Sequence, residues 1–526
     1  MIRIGIDVGG TNTDGVVLSP ANNVLATAKV PTTEDVTEGI SSALAALRQS
    51  FRHQADVATV IVGTTHFINA IVQRRDLSPV GVLRIGHPAS RSIPPFSGWP
   101  TDLVGKVRGR IWSVGGGHEF DGSPFAELDI QAIKYAAREI ADLGLDTLAV
   151  SSVFSPVNPE HEIIARDILS EAVPNAAITL SSNLGRIGLL QRENVALLNA
   201  ALVPLARKVR RAVEAAIRCN NITTPVYFSQ NDGTIVNLDS VVRHPIFCFA
   251  SGATNSIRGA ALLSGSKDAI VADVGGTTTD IGLVQNGFPN EANTVFRIGG
   301  VPTMFRVPDV LSVALGGGTI IQEDGSQFGP ESVGYSLTSK ARIFGGGILT
   351  ATDLAALLRL TNLGNRKLVS DVSNQLLTDF TNHCKSHLAE TVDKVKVRAG
   401  DLPLVAVGGA AFLIPDEIEG TSHVLRPKFG ECANAIGAAM AQVSGEVDQI
   451  FHNASRSEAI DEAKAIATER TIAAGADASS ILIADVEEIP LAYLPGNALR
   501  IRVRAIGDMS FQTRLGQLDM SQNLWC

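Results

Sequence analysis

The sequence predicts an α/β protein in which two similar domains face each other, followed by a small C-terminal α+β unit. Three observations carry that expectation. Residues 7–18 (DVGGTNTDGVVL) and 273–284 (DVGGTTTDIGLV) agree at seven of twelve positions although they lie 266 residues apart. A repeat of that period is too long for a solenoid and fits a doubled domain. Strand-like and helix-like stretches alternate through most of the chain, the pattern of α/β architecture. From about residue 454 the character changes to an alanine-rich helix reaching Ala473 and two strand-like runs at 481–484 and 498–505.

The length of 526 residues exceeds what one hydrophobic core supports. The expected division is 1–180, 181–445 and 446–526. Hydrophobic residues make up 45% and charged ones 18%, as in folded globular proteins. A net charge of −9 argues against a nucleic-acid or anionic-membrane partner. No uninterrupted apolar run reaches membrane-spanning length, and the early arrival of Asp7 leaves no signal-peptide core. Cys219, Cys248, Cys384, Cys432 and Cys526 are odd in number, scattered and without a C-x-x-C pair, which excludes a zinc ribbon and a disulfide framework. A cytoplasmic location is expected.

In order along the chain, residues 1–30 read as strands bracketing the first repeat. Ile40, Leu44 and Leu47 recur at helical spacing and predict a helix near 36–53. Val57 to Val62 reads as a buried strand ending in Gly63-Thr64-Thr65-His66, with Asn69 opening an apolar run. A strand that ends in small hydroxyl residues before a helix is a common place for a ligand. Residues 86–124, rich in Gly, Pro and Ser, read as an irregular excursion near a site. A helix near 129–143, a buried strand Thr147 to Phe154 and an acidic helix start at 155–162 follow. Arg186 to Ala216 reads as a long helix that Pro204 breaks. Val226 to Ser229 is a strand, and Ser251-Gly252-Ala253-Thr254 opens another helix. Beyond the second repeat come a glycine triplet at 316–318, another at 345–347, and a helical stretch 351–398. Val405 to Ala411 is a strand running into Gly408-Gly409, a pair suited to lie against a flat adenosine.

The two repeats share a local grammar of apolar run, Asp, Gly-Gly, hydroxyl residues, Asp and apolar run, which reads as strand, turn, strand. Neither carries G-x-G-x-x-G or a P-loop, which would turn into a helix. Gly9, Gly10, Gly275 and Gly276 let backbone N–H groups approach a bulky anion. Thr11, Thr13, Thr277 and Thr279 add hydroxyls. Asp7 and Asp273 supply hard oxygen for Mg2+, directly or through water, and Asp14 and Asp280 complete the two turns. An ordinary Asp-Gly turn is the plainer reading of one copy; two strand-flanked copies point to the phosphates of ATP held from both sides.

The pair of hairpins resembles those of the actin, Hsp70 and sugar-kinase superfamily, which implies duplicated ribonuclease-H-like domains facing across a nucleotide cleft. The order of motifs resembles one branch of it, the hydantoinase A and oxoprolinase family. The residues are Asp7 to Asp14, Gly63-Thr64-Thr65 with Asn69-Ala70, Phe154 to Glu162, Ser229 to Gly233, Ser251-Gly252-Ala253, Asp273 to Asp280, Gly316 to Ile320, Gly329 to Ser332 and Thr350 to Asp353. They span roughly residues 2–415. The resemblance implies an ATP-dependent hydrolase subunit that phosphorylates the amide oxygen of a cyclic amide (a hydantoin, a lactam or 5-oxoproline) and works beside a second hydantoinase-type subunit, as the short family members do. Asp7 and Asp273 then position magnesium and the attacking oxygen while the turns spread the developing charge; Thr64, Thr65, Asn69, Gly317 and Gly318 are the expected substrate residues. The chain departs from the family pattern at Val62, where a His commonly precedes Gly-Thr-Thr, and at Thr254-Asn255, where a Gly pair is common. An oligomer is expected.

Other features weigh less. His383 and His387, spaced i, i+4 around Cys384, read as a solvated helix face or as two metal ligands lacking a third. His118 and Glu119 read as solvated loop residues or as groups facing a substrate. His161-Glu162 lacks the second His of a zinc motif and reads as a helix start. Cys248, between two phenylalanines, reads as core. No G-x-S-x-G elbow supports a serine hydrolase. A nucleotide-gated reactivase or chaperone-like ATPase switch, which does not need the 63–69, 316–319 and 329–332 motifs, is the alternative function; a sugar kinase, the third, would need a substrate base and a sugar-binding segment that are not identified in the sequence.

Overall fold

The computed structural model describes residues 2–10, 12–32, 36–50, 57–185, 187–292, 296–304, 307–451, 455–491 and 498–510. The first repeat is part of an antiparallel meander, β1 (Ile2–Val8), β2 (Asn12–Leu18) and β3 (Val24–Pro31), whose apolar runs are buried where they face the core. Helix α1 (Val36–Ser50) follows, and β4 (Val57–Thr64) returns parallel to β1. After α2 (His66–Gln73) the chain leaves this sheet for another. The excursion runs through β5 (Val80–His87), α3 (Thr101–Val107), β6 (Arg108–Gly115), α4 (Ile130–Leu143), β7 (Thr147–Ser152), α5 (Glu160–Ala172) and β8 (Ala177–Leu180). These four strands form an all-parallel sheet in the order β6-β5-β7-β8. Helix α6 (Leu189–Cys219) leads back, and β9 (Val226–Ser229) and β10 (Ile235–Asn237) finish the first sheet as β10-β9-β4-β1-β2-β3.

After α7 (Leu238–Arg243) and α8 (Ser251–Ser264), the second repeat lies in β11 (Ala269–Val274) and β12 (Thr279–Gln285), again an antiparallel pair. Short strands β13 (Phe288–Pro289), β14 (Phe296–Ile298), β15 (Val301–Thr303), β16 (Val310–Val313), β17 (Thr319–Ile321) and β18 (Phe328–Ser332) follow, then α9 (Leu337–Lys340), α10 (Ala351–Leu357) and α11 (Asn374–Val395). Strand β19 (Leu402–Val407) runs parallel to β11, and β20 (Thr421–Leu425) parallel to β19, so this sheet reads β13-β12-β11-β19-β20 with β16 also on β12. Helix α12 (Ala433–Ala439) closes residues 2–441, one compact unit.

Residues from Gln442 form a second compact unit. It contains β21 (Val443–Phe451), α13 (Arg456–Ala473), β22 (Leu482–Pro490) and β23 (Leu499–Gly507), with sheet order β21-β23-β22. The capping box that opens α13 has Ser455 accepting from the Glu458 N–H and Glu458 accepting from the Ser455 N–H. Ala459, Ala463 and Ala467, fully buried at four-residue spacing, let the helix lie close on Val447, Ile501 and Val503.

Helices α8 and α12 cross at the centre of residues 2–441 with almost no clearance. A side-chain carbon on Gly259 would lie 2.0 Å from the Ala433 carbonyl oxygen, and one on Gly437 would lie 1.8 Å from that of Asn255. Helix α12 also lies on β1, where a side-chain carbon on Gly5 would stand 2.1 Å from the Ala435 oxygen. These glycines are where the elements around the two hairpins touch backbone to backbone.

The structure differs from expectation in four places. The supposed irregular excursion 86–124 contains α3 and β6, because the apolar residues of Arg108 to Gly115 pair with β5 in spite of their glycines. Helix α6 runs through Pro204 unbroken; nearly every residue from Arg192 to Ala206 is buried, and that packing outweighs the missing N–H. The stretch 351–398 is two helices, separated by Arg359 and Gly364 at φ +63° and +64°. The division expected at 180 leaves β9 and β10, which belong to the first sheet, on its far side. Arg186 and the ends of the predicted helices at 51–53 and 454 lie outside the described residues.

Candidate functional site

Strand pairing puts the same residues opposite each other in both hairpins. Asp7 pairs with Asp14 and Val8 with Thr13; Asp273 pairs with Asp280 and Val274 with Thr279. Each turn is pinned by one backbone bond, Gly9 N–H to the Asn12 oxygen at 3.0 Å and Gly275 N–H to the Thr278 oxygen at 2.9 Å. Of the described turn residues, Gly10 and Thr277 are exposed and Gly276 half-buried. Thr11 lies outside the described residues. Thr13 and Thr279 are fully buried. The Thr13 hydroxyl meets that of Thr32 at 3.1 Å, and Thr279 Oγ1 donates to the Leu315 carbonyl at 2.6 Å. Both hold the hairpins to their surroundings instead of presenting hydroxyls to phosphate.

Asp7 sits 3% exposed at the end of β1. Its Oδ2 accepts a long 3.4 Å bond from Asn434 Nδ2 on α12, and its Oδ1 has no partner. Burial, then the Asp14 carboxylate, push its pKa up to about 7, and Asp273 adds to the rise. Asp273, partly reached by solvent but ringed by protein, is raised to about 6, chiefly by burial, with Asp280 and Asp14 contributing. The acids of each hairpin thus act on those of the other. Asp14 is paired with Lys29 Nζ at 2.9 Å, and Asp280 accepts from Ser312 Oγ at 2.6 Å; burial raises both. Beside Asp7, a side-chain carbon on Gly63 would fall 2.7 Å from both Asp7 Oδ1 and Asn255 Nδ2. Asn255 is fully buried, donates to Ser229 Oγ at 2.9 Å, and leaves its Oδ1 unpartnered.

Thr65 and Asn69 lean on the first turn. Thr65 N–H donates to the Val8 oxygen at 3.2 Å, and Asn69 Nδ2 lies 4.0 Å from where Gly10 would carry a side chain. Thr64 is buried with its hydroxyl 2.8 Å from His66 Nδ1. Gly317 and Gly318, expected at a substrate, are buried behind the second turn, donating to the Gly275 and Gly276 oxygens at 3.0 and 2.7 Å; they brace the second hairpin. Gly408, at φ +89°, admits Asp273, whose Oδ1 would stand 2.4 Å from any side-chain carbon there, while Gly409 is exposed to open space.

The donor set fits magnesium. Asp7 Oδ1 is a buried acceptor with nothing to accept from, beside a second carboxylate, which suits a hard cation or its water. Among the described residues no three His, Cys, Asp or Glu side chains gather as a metal cage, so the ion would be held by one or two carboxylates plus water and phosphate, as Mg2+ commonly is.

Sequence reasoning missed Lys29 and Asn434. Lys29 was recoverable, because it is the cross-strand partner of Asp14 once the meander is in register. Asn434 carried no signal; only the fold brings it to Asp7. His118, expected to be solvated, is fully buried. His383 and His387 stack with ring centres 5.3 Å apart beside Phe328, with no third metal ligand among the described residues. Cys248 is core, and burial pushes its thiol up. Among the described residues no helix is long and apolar enough to cross a membrane.

Two family models match the sequence: the hydantoinase/oxoprolinase N-terminal region over residues 3–173 and hydantoinase/oxoprolinase over residues 192–362. Caprolactamase subunit alpha of Pseudomonas jessenii is 25% identical over 84% of the chain. The acetophenone carboxylase gamma subunit of Aromatoleum aromaticum is 26% identical over 68%. The chain spans 70% of the former's length and 53% of the latter's. Among solved structures, ATP-dependent caprolactamase from Pseudomonas jessenii superposes with a TM-score of 0.76 at 20% identity, covering 100% of this chain and 90% of that one. Nucleotide-free acetone carboxylase gives 0.70 at 16%, covering 96% and 88%. The fold is mixed α/β in all three. With both family models matched in order along the chain, the protein belongs to the hydantoinase/oxoprolinase family.

Proposed function

We propose that the chain is the ATP-using subunit of a cyclic amide hydrolase, and that it phosphorylates the amide oxygen of a hydantoin, lactam or 5-oxoproline-like ring. The observation that carries this reading is the unpartnered Oδ1 of Asp7, whose carboxyl group feels Asp273 of the other hairpin, the two hairpins being in matching register. The equal strand order around β1 and β11 supports duplicated ribonuclease-H-like domains closing on one nucleotide, with β9 and β10 assigned to the first.

An unstrained amide is a poor electrophile because resonance holds its carbonyl. In the proposed step the amide oxygen attacks the γ-phosphorus, the bond to the bridging oxygen breaks, ADP leaves, and the amide N–H proton passes to solvent, giving an imidate whose nitrogen is neutral and whose phosphate keeps its negative charge. Magnesium, held by Asp7 and Asp273 directly or through water, supplies positive charge to the phosphates when bound. The turn N–H groups of Gly10, Gly276 and Thr277 meet the developing charge. Thr65 and Asn69, against the first turn, are placed for the substrate. Ring opening belongs to a partner subunit; relatives named as subunits support that assignment.

ATP turnover by the purified chain, with and without hydantoins and lactams, tests the reading. Turnover that rises only with a cyclic amide and disappears in Asp273→Asn is expected. Steady turnover indifferent to every amide would instead favour the nucleotide switch, for which the clearance-free crossing of α8 and α12 offers a lever.

A further inference from the structure

Buried polar atoms without a hydrogen-bond partner gather, among the described residues, at two places. One is the hairpin site, with Asp7 Oδ1 and Asn255 Oδ1. The other is the carboxyl end of the parallel sheet β6-β5-β7-β8, where both ring nitrogens of His118 and the hydroxyls of Ser152 and Ser182 have none. Native folds satisfy nearly all such groups, so a cluster of exceptions points to something absent.

The position of that cluster is telling. From β5 the chain steps to β6 on one side and then crosses back to β7 on the other. The strand order therefore reverses between β5 and β7, and open parallel sheets bind ligands outside the carboxyl ends at this reversal. His118 stands there: its N–H donates to the Val153 oxygen at 3.1 Å, and Val153 N–H donates to the Ile85 oxygen at 3.2 Å. Gly86 and Gly117, at φ +143° and +105°, let the chain close around it; side-chain carbons there would lie 2.6 and 3.2 Å from Val153.

The His161 ring lies 4.2 Å from that of His118, tilted by 37°. His161 Nδ1 accepts from Gly117 N–H at 2.9 Å, which fixes its proton on Nε2. That tautomer leaves no lone pair on Nε2 for a metal, and no third ligand stands near among the described residues. Burial lowers the pKa of both rings, so both are neutral near pH 7. The pair offers an N–H on His161 and, on His118, one N–H and one lone pair. An uncharged molecule that carries a donor beside an acceptor matches this set.

We propose that this crevice is a second small-molecule site that takes an uncharged cyclic amide, with His118 accepting from the ring N–H and His161 Nε2–H donating to the carbonyl. The choice of amide rests on the proposed function; the existence of the site does not. It is separate from the hairpins. Asp7 lies in β1 and Asp273 in β11, whereas His118 is bonded to Val153 and through it to Ile85 at the end of the sheet β6-β5-β7-β8. The site binds substrate and does no chemistry on it.

Saturation-transfer NMR of the full chain with 2-pyrrolidinone, without nucleotide, tests this. Binding is expected in the wild type and undiminished in Asp7→Asn, and weaker by about tenfold in His118→Ala, the worth of a lost hydrogen bond or two. His118→Gln, which keeps a donor and an acceptor, restores part of it. A wild-type far-UV circular-dichroism spectrum and a cooperative urea transition show that each variant is folded; should His118→Ala fail that check, His161→Phe takes its place with the same expected loss. Binding that is absent in the wild type, indifferent to both histidines, or abolished by Asp7→Asn overturns the proposal. Failure of amide-stimulated ATP turnover overturns the functional reading alone, since this binding is read without ATP.

Discussion

Asp7→Asn should make the protein more stable while disabling it. The carboxyl group is 3% exposed, and its pKa stands at about 7 against 3.8 in the unfolded chain. Because the folded value is raised, the folded state binds more protons than the unfolded one between those limits. The associated stability is present in full below the unfolded pKa and is lost as pH rises through the folded one. Three units correspond to about 4 kcal/mol at pH 8, an upper figure that cleft solvent and relaxation will reduce. Asparagine keeps the shape and its Asn434 neighbour and carries no charge to desolvate. Urea unfolding followed by tryptophan fluorescence is the assay, since Trp99 and Trp112 are both buried within residues 2–441. The variant should exceed the wild type by about 2–4 kcal/mol at pH 8, and the gap should shrink steadily toward pH 4. Magnesium with ADP should narrow the gap by stabilising the wild type alone. A variant no more stable than wild type at pH 8, or a gap that ignores pH, would refute the view that Asp7 is a charge held out of water for a ligand.

Two further outcomes follow from packing. Gly437→Ala gains about 1 kcal/mol of helix propensity, but its methyl would stand 1.8 Å from the Asn255 oxygen; overpacking should win, with a net loss of about 2 kcal/mol or more in urea. Neutrality would mean that α8 and α12 separate easily. Glu193→Gln breaks the buried pair with Arg84, both 1% exposed, in which Glu193 also accepts from Ser151 Oγ at 2.7 Å. It should cost about 3–5 kcal/mol by stranding a guanidinium, whereas the double change Arg84→Met with Glu193→Leu should cost less; equal losses would show that packing, not charge, is at stake.

What was legible in the sequence was whatever the backbone repeats. The aspartates and glycines of the hairpins announce themselves because two copies obey one register, and Gly408 because a strand runs straight into it. Gly317 and Gly318 misled because a glycine that admits a ligand and one that admits another backbone look alike until the neighbour is known. His118 misled in the opposite direction: a histidine among loop glycines looks solvated, yet those glycines are what let the sheet ends close over it. Pro204 reads as a break only if the helix is exposed. Asn434 and Asn255 could not be found from spacing, since their meaning comes from a helix crossing made by residues far apart in the chain.

The interruption of the first sheet has a consequence for how the protein is made. Strand β4 ends at Thr64, but β9, which covers its edge, begins only at Val226. A ribosome adding about 5–20 residues per second leaves that edge bare for roughly 10–30 seconds. Meanwhile β5 to β8, contiguous within residues 80–180, have all their partners in hand. On the emerging chain the inserted sheet is therefore complete first, and the older, earlier-translated one waits, open to neighbouring nascent chains.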